Sequence, residues 1–142
     1  MSDNRQFSTF RLDGLLLGVE VLKVQEVIRY QQMTRVPLAA ETIEGLINLR
    51  GQIVTAVDLR RLFGLPPRAA GRLPMNVVAR TDDGGVSLLV DEIGDVIEIQ
   101  DEAFEQPPET LKGVARDLVD GIYKLEGRLL LVLNLEKTLA AA

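Results

Sequence analysis

Short runs of apolar residues, broken by turn signals every six to ten positions, dominate this chain. Gln6 to Leu12 reads as a strand in which Ser8, Phe10 and Leu12 share one side and Phe7 points the other way. Asp13-Gly14 is a hairpin signal, and Leu15 to Val21 returns as the second strand. Val21, Val24, Val27 and Ile28 then recur at three- and four-residue spacing, which predicts a helical turn, with a strand as the alternative for so short a segment. Tyr30 to Val36 reads as extended, Pro37 opens a loop, and Glu41 to Glu44 reads as one turn. Gly45 to Phe63 is the clearest unit. Two apolar arms meet at a turn on Arg50-Gly51, and Asp58 is placed to cap a short helix ending near Gly64.

The pattern then repeats. Leu65 to Gly71, with two prolines, reads as a linker. Met75 to Thr81 and Val86 to Asp91 are strands around the turn Asp82-Asp83-Gly84-Gly85, and Gln106-Pro107-Pro108 is a loop. Adding 76 carries Gly45 to Gly121, Gly51 to Gly127, Val57 to Leu133 and Asp58 to Asn134, an equally good cap. Adding 69 carries Val24 to Ile93, Val27 to Val96 and Ile28 to Ile97. Arg50, by contrast, maps onto Glu126. The chain is one domain, 1–142, built by internal duplication: subdomain 1 about 7–64, linker 65–74, subdomain 2 about 75–140. Many short strands predict a mainly β fold of small barrels or a sandwich, with short helices. Two barrels side by side would leave a groove, with Val24, Val27, Ile93 and Val96 as candidates to face it. As a periodic aliphatic set they read first as core; the expected split leaves Val24 and Ile93 partly exposed and buries Ile28 and Ile97.

Composition narrows the chemistry. The 142 residues include no His and no Cys, which argues against disulfides, thiolate nucleophiles, imidazole acid–base catalysis and the usual zinc sites. A net charge of −5 without a sustained basic run argues against nucleic acid. No apolar run reaches the ~20 residues of a membrane span, and the polar start is unlike a signal peptide, so a cytoplasmic location is expected. Asp82 and Asp83 lack the spacing of a calcium loop. Asp91, Glu92 and Asp95 read as solvated or capping carboxylates. No cofactor, metal or catalytic residue is expected. Arginine outnumbers lysine, 12 to 4, which favours interface use.

Val24-Gln25-Glu26-Val27, Thr34-Arg35-Val36-Pro37, Ile47-Asn48-Leu49-Arg50-Gly51 and Val57-Asp58-Leu59-Arg60 arrive in the order of a known family. So do Val90 to Val96 and Arg128 to Lys137, and together they resemble the CheW family of chemotaxis adaptors from Phe7 to Leu139. Thr55 stands where many members carry proline, a change a strand tolerates. The resemblance implies two five-stranded SH3-like barrels around a common core. It implies a non-enzymatic adaptor, coupling the cytoplasmic tips of methyl-accepting chemoreceptors to the regulatory domain of the histidine kinase CheA. Such an adaptor is recruited to membrane-associated receptor arrays without inserting into the bilayer. With no receiver or kinase module after the last helix, a stand-alone adaptor is expected. Val24, Glu26, Val27, Arg50, Ile93 and Val96 are then expected at the receptor, and Gly45 and Ile47 at the kinase. Whether the pathway drives flagella, or surface motility or development, stays open.

Overall fold

A computed structural model describes residues 4–82, 84–100, 103–107, 109 and 114–142. Position 83 of the expected turn and position 108 of the expected loop lie outside the described residues. The strands are β1 (Asn4–Leu12), β2 (Leu15–Glu20), β3 (Val24–Ile28), β4 (Ile43–Leu49), β5 (Gln52–Asp58), β6 (Met75–Thr81), β7 (Gly84–Val90), β8 (Glu92–Gln100), β9 (Phe104–Glu105), β10 (Val119–Leu125) and β11 (Arg128–Leu133). Three short helices follow strands or precede them: α1 (Leu59–Leu62), α2 (Val114–Leu118) and α3 (Leu135–Ala141).

The strands form two sheets that trade hairpins. One runs β8-β1-β2-β11-β10-β9 and the other β3-β6-β7-β5-β4. The first hairpin of each sequence repeat therefore pairs inside the sheet built by the rest of the other repeat. Under the duplication β3 matches β8, β6 matches β1, β7 matches β2, β5 matches β11 and β4 matches β10, so the two orders are the same. Each repeat completes the other's sheet, so strand pairing joins the two repeats in both sheets. The repeats meet twice in each sheet: one junction is antiparallel, β3 with β6 and β8 with β1, and the other is parallel, β5 with β7 and β11 with β2.

Both sheets curl closed in the same way. After β3 the chain crosses over β4, where Thr34 and Leu46 exchange backbone hydrogen bonds of 2.9 and 2.8 Å. After β8 it crosses over β10, where β9 makes the equivalent pairing. Gly45 and Gly121 lie beneath these crossings. Each sits at a register shift, between Ile43 and Gly45 and between Val119 and Gly121. A Cβ on Gly45 would lie 2.7 Å from the carbonyl oxygen of Thr34, and one on Gly121 2.5 Å from that of Glu105. This is close backbone approach, the reason glycine is needed at both.

Three apolar clusters follow from the closure. Ile47, Leu49, Val54, Ala56, Val78 and Leu89 fill one barrel, and Phe7, Leu16, Tyr123, Leu130 and Val132 fill the other. The opposite faces of both sheets, with α1 and the first residue of α3, bury a larger shared core that includes Phe10, Leu12, Leu17, Leu88 and Leu133. A strand with both faces buried loses strict alternation. Phe7 and Phe10 lie on opposite faces of β1, and both are apolar because each face is covered by a different cluster. Asp58 caps α1 by accepting from the N–H of Arg60 at 3.0 Å, and Asn134 caps α3 by accepting from that of Lys137 at 2.9 Å.

Candidate functional site

The β4–β5 turn is set by two consecutive left-handed residues, Arg50 at φ 53° and Gly51 at φ 85°. That is the primed turn that matches strand twist. Asn48 supports it, its Oδ1 accepting from the Gly51 N–H at 2.9 Å. In the matched turn only Gly127 takes positive φ, so the hairpins agree in length but not in backbone. Arg50 is exposed, and its guanidinium donates to the carboxylate of Glu26 on β3. Barrel closure is what brings the two together, since β3 and β4 stand at opposite ends of the strand order.

Val24 and Val27 owe their common face to a bulge. Val24 pairs with Ala79 and Glu26 with Val78, so β3 carries one extra residue near Gln25. β8 has the matching irregularity: Ile93 pairs with Phe10 and Val96 with Ser8. Here Gly94 leaves no room for a Cβ, which would lie 2.5 Å from the Thr9 hydroxyl. The three-residue spacing that predicts a helical turn over 21–28 thus reflects a bulged strand. Only Val21–Lys23 is helical, as one 3-10 turn. Val24 and Ile93 pack half-buried against the shared core. Val27 and Val96 stand out at 37% and 61% exposure. Ile28 and Ile97, expected to be buried, are half-buried, because β3 and β8 are the outermost strands of their sheets. Glu26 lies on the other face of β3, paired with the barrel residue Val78. The Arg50–Glu26 pair and the valines therefore flank β3 from opposite sides.

Gly45 and Ile47, the expected kinase contacts, are both buried: Gly45 under the Thr34 crossing, Ile47 inside its barrel at 1% exposure. The exposed features of β4 are its neighbours, Asn48 and the largely unpaired outer edge.

One cluster escapes the sequence reading. Asp91, expected to be solvated or capping, is an ion-pair hub at the start of the second repeat's bulged strand. Arg60 grips it with Nε to Oδ1 at 2.8 Å and Nη2 to Oδ2 at 2.7 Å. Arg68 of the linker donates Nε to Oδ1 at 2.9 Å, and the N–H of Asp13 donates to Oδ2 at 2.8 Å. Burial pushes the Asp91 carboxyl up, but the Arg60 hydrogen bonds, the Asp13 N–H and the two guanidinium charges outweigh it and hold it below the usual carboxylate range. The same contact raises Arg60. The sequence signal was the mismatch under duplication, since Asp91 maps onto Leu22 and Arg60 onto Glu136. In the opposite barrel Arg5 lies 4.9 Å from the Phe7 ring centre, 5.5 Å from that of Phe104, and donates to the Tyr123 hydroxyl at 3.0 Å.

Among the described residues no group of three or more metal-ligating side chains converges, and no helix is long and apolar enough to cross a membrane. What the molecule offers instead is surface: two closed barrels, edge strands bearing exposed valines, and a charged turn held in place. The CheW-like domain family matches residues 6–142. The chain is 31% identical over 137 residues to the chemotaxis protein CheW of Klebsiella aerogenes, covering 96% of this chain and 82% of that one. It is 32% identical over 128 residues to the chemotaxis protein CheW of Bacillus subtilis, covering 88% and 80%. The scaffolding protein TtCheW of Thermoanaerobacter tengcongensis superposes with a TM-score of 0.84 at 29% identity, covering 95% of this chain and 90% of that one. The chain belongs to the CheW-like family, a family of chemotaxis scaffold proteins and not of enzymes.

Proposed function

We propose that this chain is the adaptor that couples chemoreceptor cytoplasmic tips to the histidine kinase CheA, and that it is drawn to receptor arrays by those contacts. The observation that carries the reading is the Arg50–Glu26 pair. An arginine in a left-handed turn, mostly exposed, is fixed by a carboxylate on β3, the strand at the other end of the order from β4. Fixing a long cation in this way lowers the entropy lost when a partner carboxylate meets it. The exposed Val27 and Val96, on the rims of the shared core, supply apolar contact for a helical ridge. A receptor helical hairpin would rest on these residues, with Val24 and Ile93 beneath. The kinase regulatory domain would meet the barrel ends and the open edge of β4, where Gly45 and Ile47 set the strand's shape from below. Two separate surfaces allow both partners to be held at once.

Arg50→Glu tests the receptor half. It replaces the cation with a charge that repels both Glu26 and an acidic partner, a change of about 1.5–3 kcal/mol in receptor affinity, or roughly ten- to hundredfold. Kinase affinity and melting temperature should stay close to wild type. Unchanged receptor affinity in a folded variant would refute the assignment.

A further inference from the structure

The β6–β7 hairpin of the second repeat lies between β3 and β5 of the first, and the β1–β2 hairpin of the first lies between β8 and β11 of the second. Neither repeat can finish a sheet alone. Without β6–β7, β3 and β5 each expose a row of unpaired backbone groups, and such edges recruit another strand. The shared core crosses the same division: Phe10 and Leu17 come from one repeat, Leu88 and Leu133 from the other. The hairpin that completes a sheet is the same whether it belongs to the same chain or to a second copy.

The covalent tie between the repeats is the linker, 65–74. Its first part is anchored. Leu65 packs against the shared core, and its N–H donates to the Arg60 carbonyl at 2.8 Å. Arg60 Nη1 donates to the Pro66 carbonyl at 2.6 Å, and Arg68 Nε to Asp91 at 2.9 Å. The rest is a simple reversal. Residues 69–73 are exposed, the Arg72 N–H donates to the Ala69 carbonyl at 3.1 Å, and Gly71 holds φ at 83°. Extended instead of turned, the six residues 69–74 reach about 20 Å, a span that carries the chain onto a neighbouring globule. Every strand pairing and the core would then be rebuilt unchanged, and the Asp91 cluster too, with Asp91 supplied by the other copy. The closed chain and the exchanged pair differ in this one turn and in the entropy of association.

We propose that two copies of this chain exchange repeats through a hinge at 69–72. The product is a dimer of two complete globules, each built from the first repeat of one copy and the second repeat of the other. Each globule carries a full set of surfaces, so the dimer is a bivalent form of the chain. Protein concentration during folding sets the balance between the two forms.

Gly71→Pro tests the hinge, because proline cannot take positive φ and biases residue 70 toward extended backbone. Wild type refolded at rising concentration, then measured by light scattering after size exclusion, should show a growing fraction with the mass of two chains. Gly71→Pro should raise that fraction roughly tenfold, and a flexible Gly-Ser insert after Gly71 should lower it by easing the reversal. Gln6→Cys with Glu98→Cys, opposite each other on antiparallel β1 and β8, reports which copy supplies each hairpin, since the sequence has no other cysteine. Oxidised and then denatured without reductant, the dimer fraction should run as two linked chains and the monomer fraction as one. A dimer fraction that runs as single chains would mean association through outer surfaces and would overturn the exchange. So would wild type and Gly71→Pro that both refold and stay monomeric at every concentration.

Discussion

Gly45 and Gly121 stand at the same place in two barrels, each at a bulge beneath the segment that closes its sheet. Neither needs a left-handed backbone; both need the absence of a side chain. Gly45→Ala would set a methyl 2.7 Å from the Thr34 carbonyl oxygen, and Gly121→Ala would set one 2.5 Å from that of Glu105. Each should cost about 1–3 kcal/mol by overpacking. Gly85→Ala is the control, since the nearest atom is Cγ2 of Val54 at 3.6 Å. Thermal melts should show losses of several degrees in the first two and little change in the third.

The Asp91 hub predicts both a stability loss and a pH dependence. Asp91→Asn leaves Arg60 and Arg68, with side chains only 12% and 14% exposed, short of their counter-charge. The expected cost is about 2–4 kcal/mol at neutral pH. The folded-state value of Asp91 is lowered, so the unfolded chain binds the proton first as pH falls. The contribution is complete above about pH 4, the ordinary carboxylate range, and is lost as pH drops through the lower folded value. Chemical denaturation of wild type and variant between pH 2 and pH 7 should give curves that converge at the acid end. A constant gap would contradict the hub.

Leu38 carries strain with no packing to offset it. It holds φ at 66° and is fully exposed. A left-handed conformation costs a non-glycine residue about 1–2 kcal/mol, and asparagine tolerates it best. Leu38→Asn should raise the melting temperature by a few degrees. A fall would mean that the leucine packs in a way the exposed loop does not show.

The pair at Arg50 separates turn geometry from charge. Arg50→Asn keeps a residue suited to positive φ and removes the cation. The lost contact with Glu26 is a surface pair, so stability should change by no more than about 1 kcal/mol. Receptor affinity should fall nonetheless, by less than in Arg50→Glu because no repulsion is added. Equal losses in both variants would assign the effect to the missing cation and not to added repulsion, and an unchanged affinity in Arg50→Asn would show that the cation makes no contact.

Much of the architecture was legible because duplication doubles each signal. The Asp58 and Asn134 caps, the Arg50-Gly51 and Glu126-Gly127 turns, and the Met75–Thr81 strand could each be placed from local chemistry. The exchange of hairpins between repeats could not, since periodicity says which face of a strand is apolar and not which strand it joins. The bulge at Gln25 was read as a helical turn, with a strand as the alternative, for a related reason. Three-residue spacing is ordinarily helical, and a bulge produces the same spacing in a strand. Glycine at 45 was visible as a repeat but not as a close approach, because the crossing segment that requires it lies eleven residues away at Thr34. The Asp91 hub draws its members from a hairpin turn, a helix, a linker and a second repeat, which only the tertiary fold assembles.

The adaptor reading requires both partners on one copy of the chain. Sedimentation velocity of the chain mixed with a receptor-tip fragment and the CheA regulatory domain, each labelled with a different chromophore, tests this directly. A single boundary containing all three, which loses only the receptor when Arg50→Glu replaces wild type, is the predicted result. Two binary complexes that compete, with no ternary species at saturating concentrations, would contradict it.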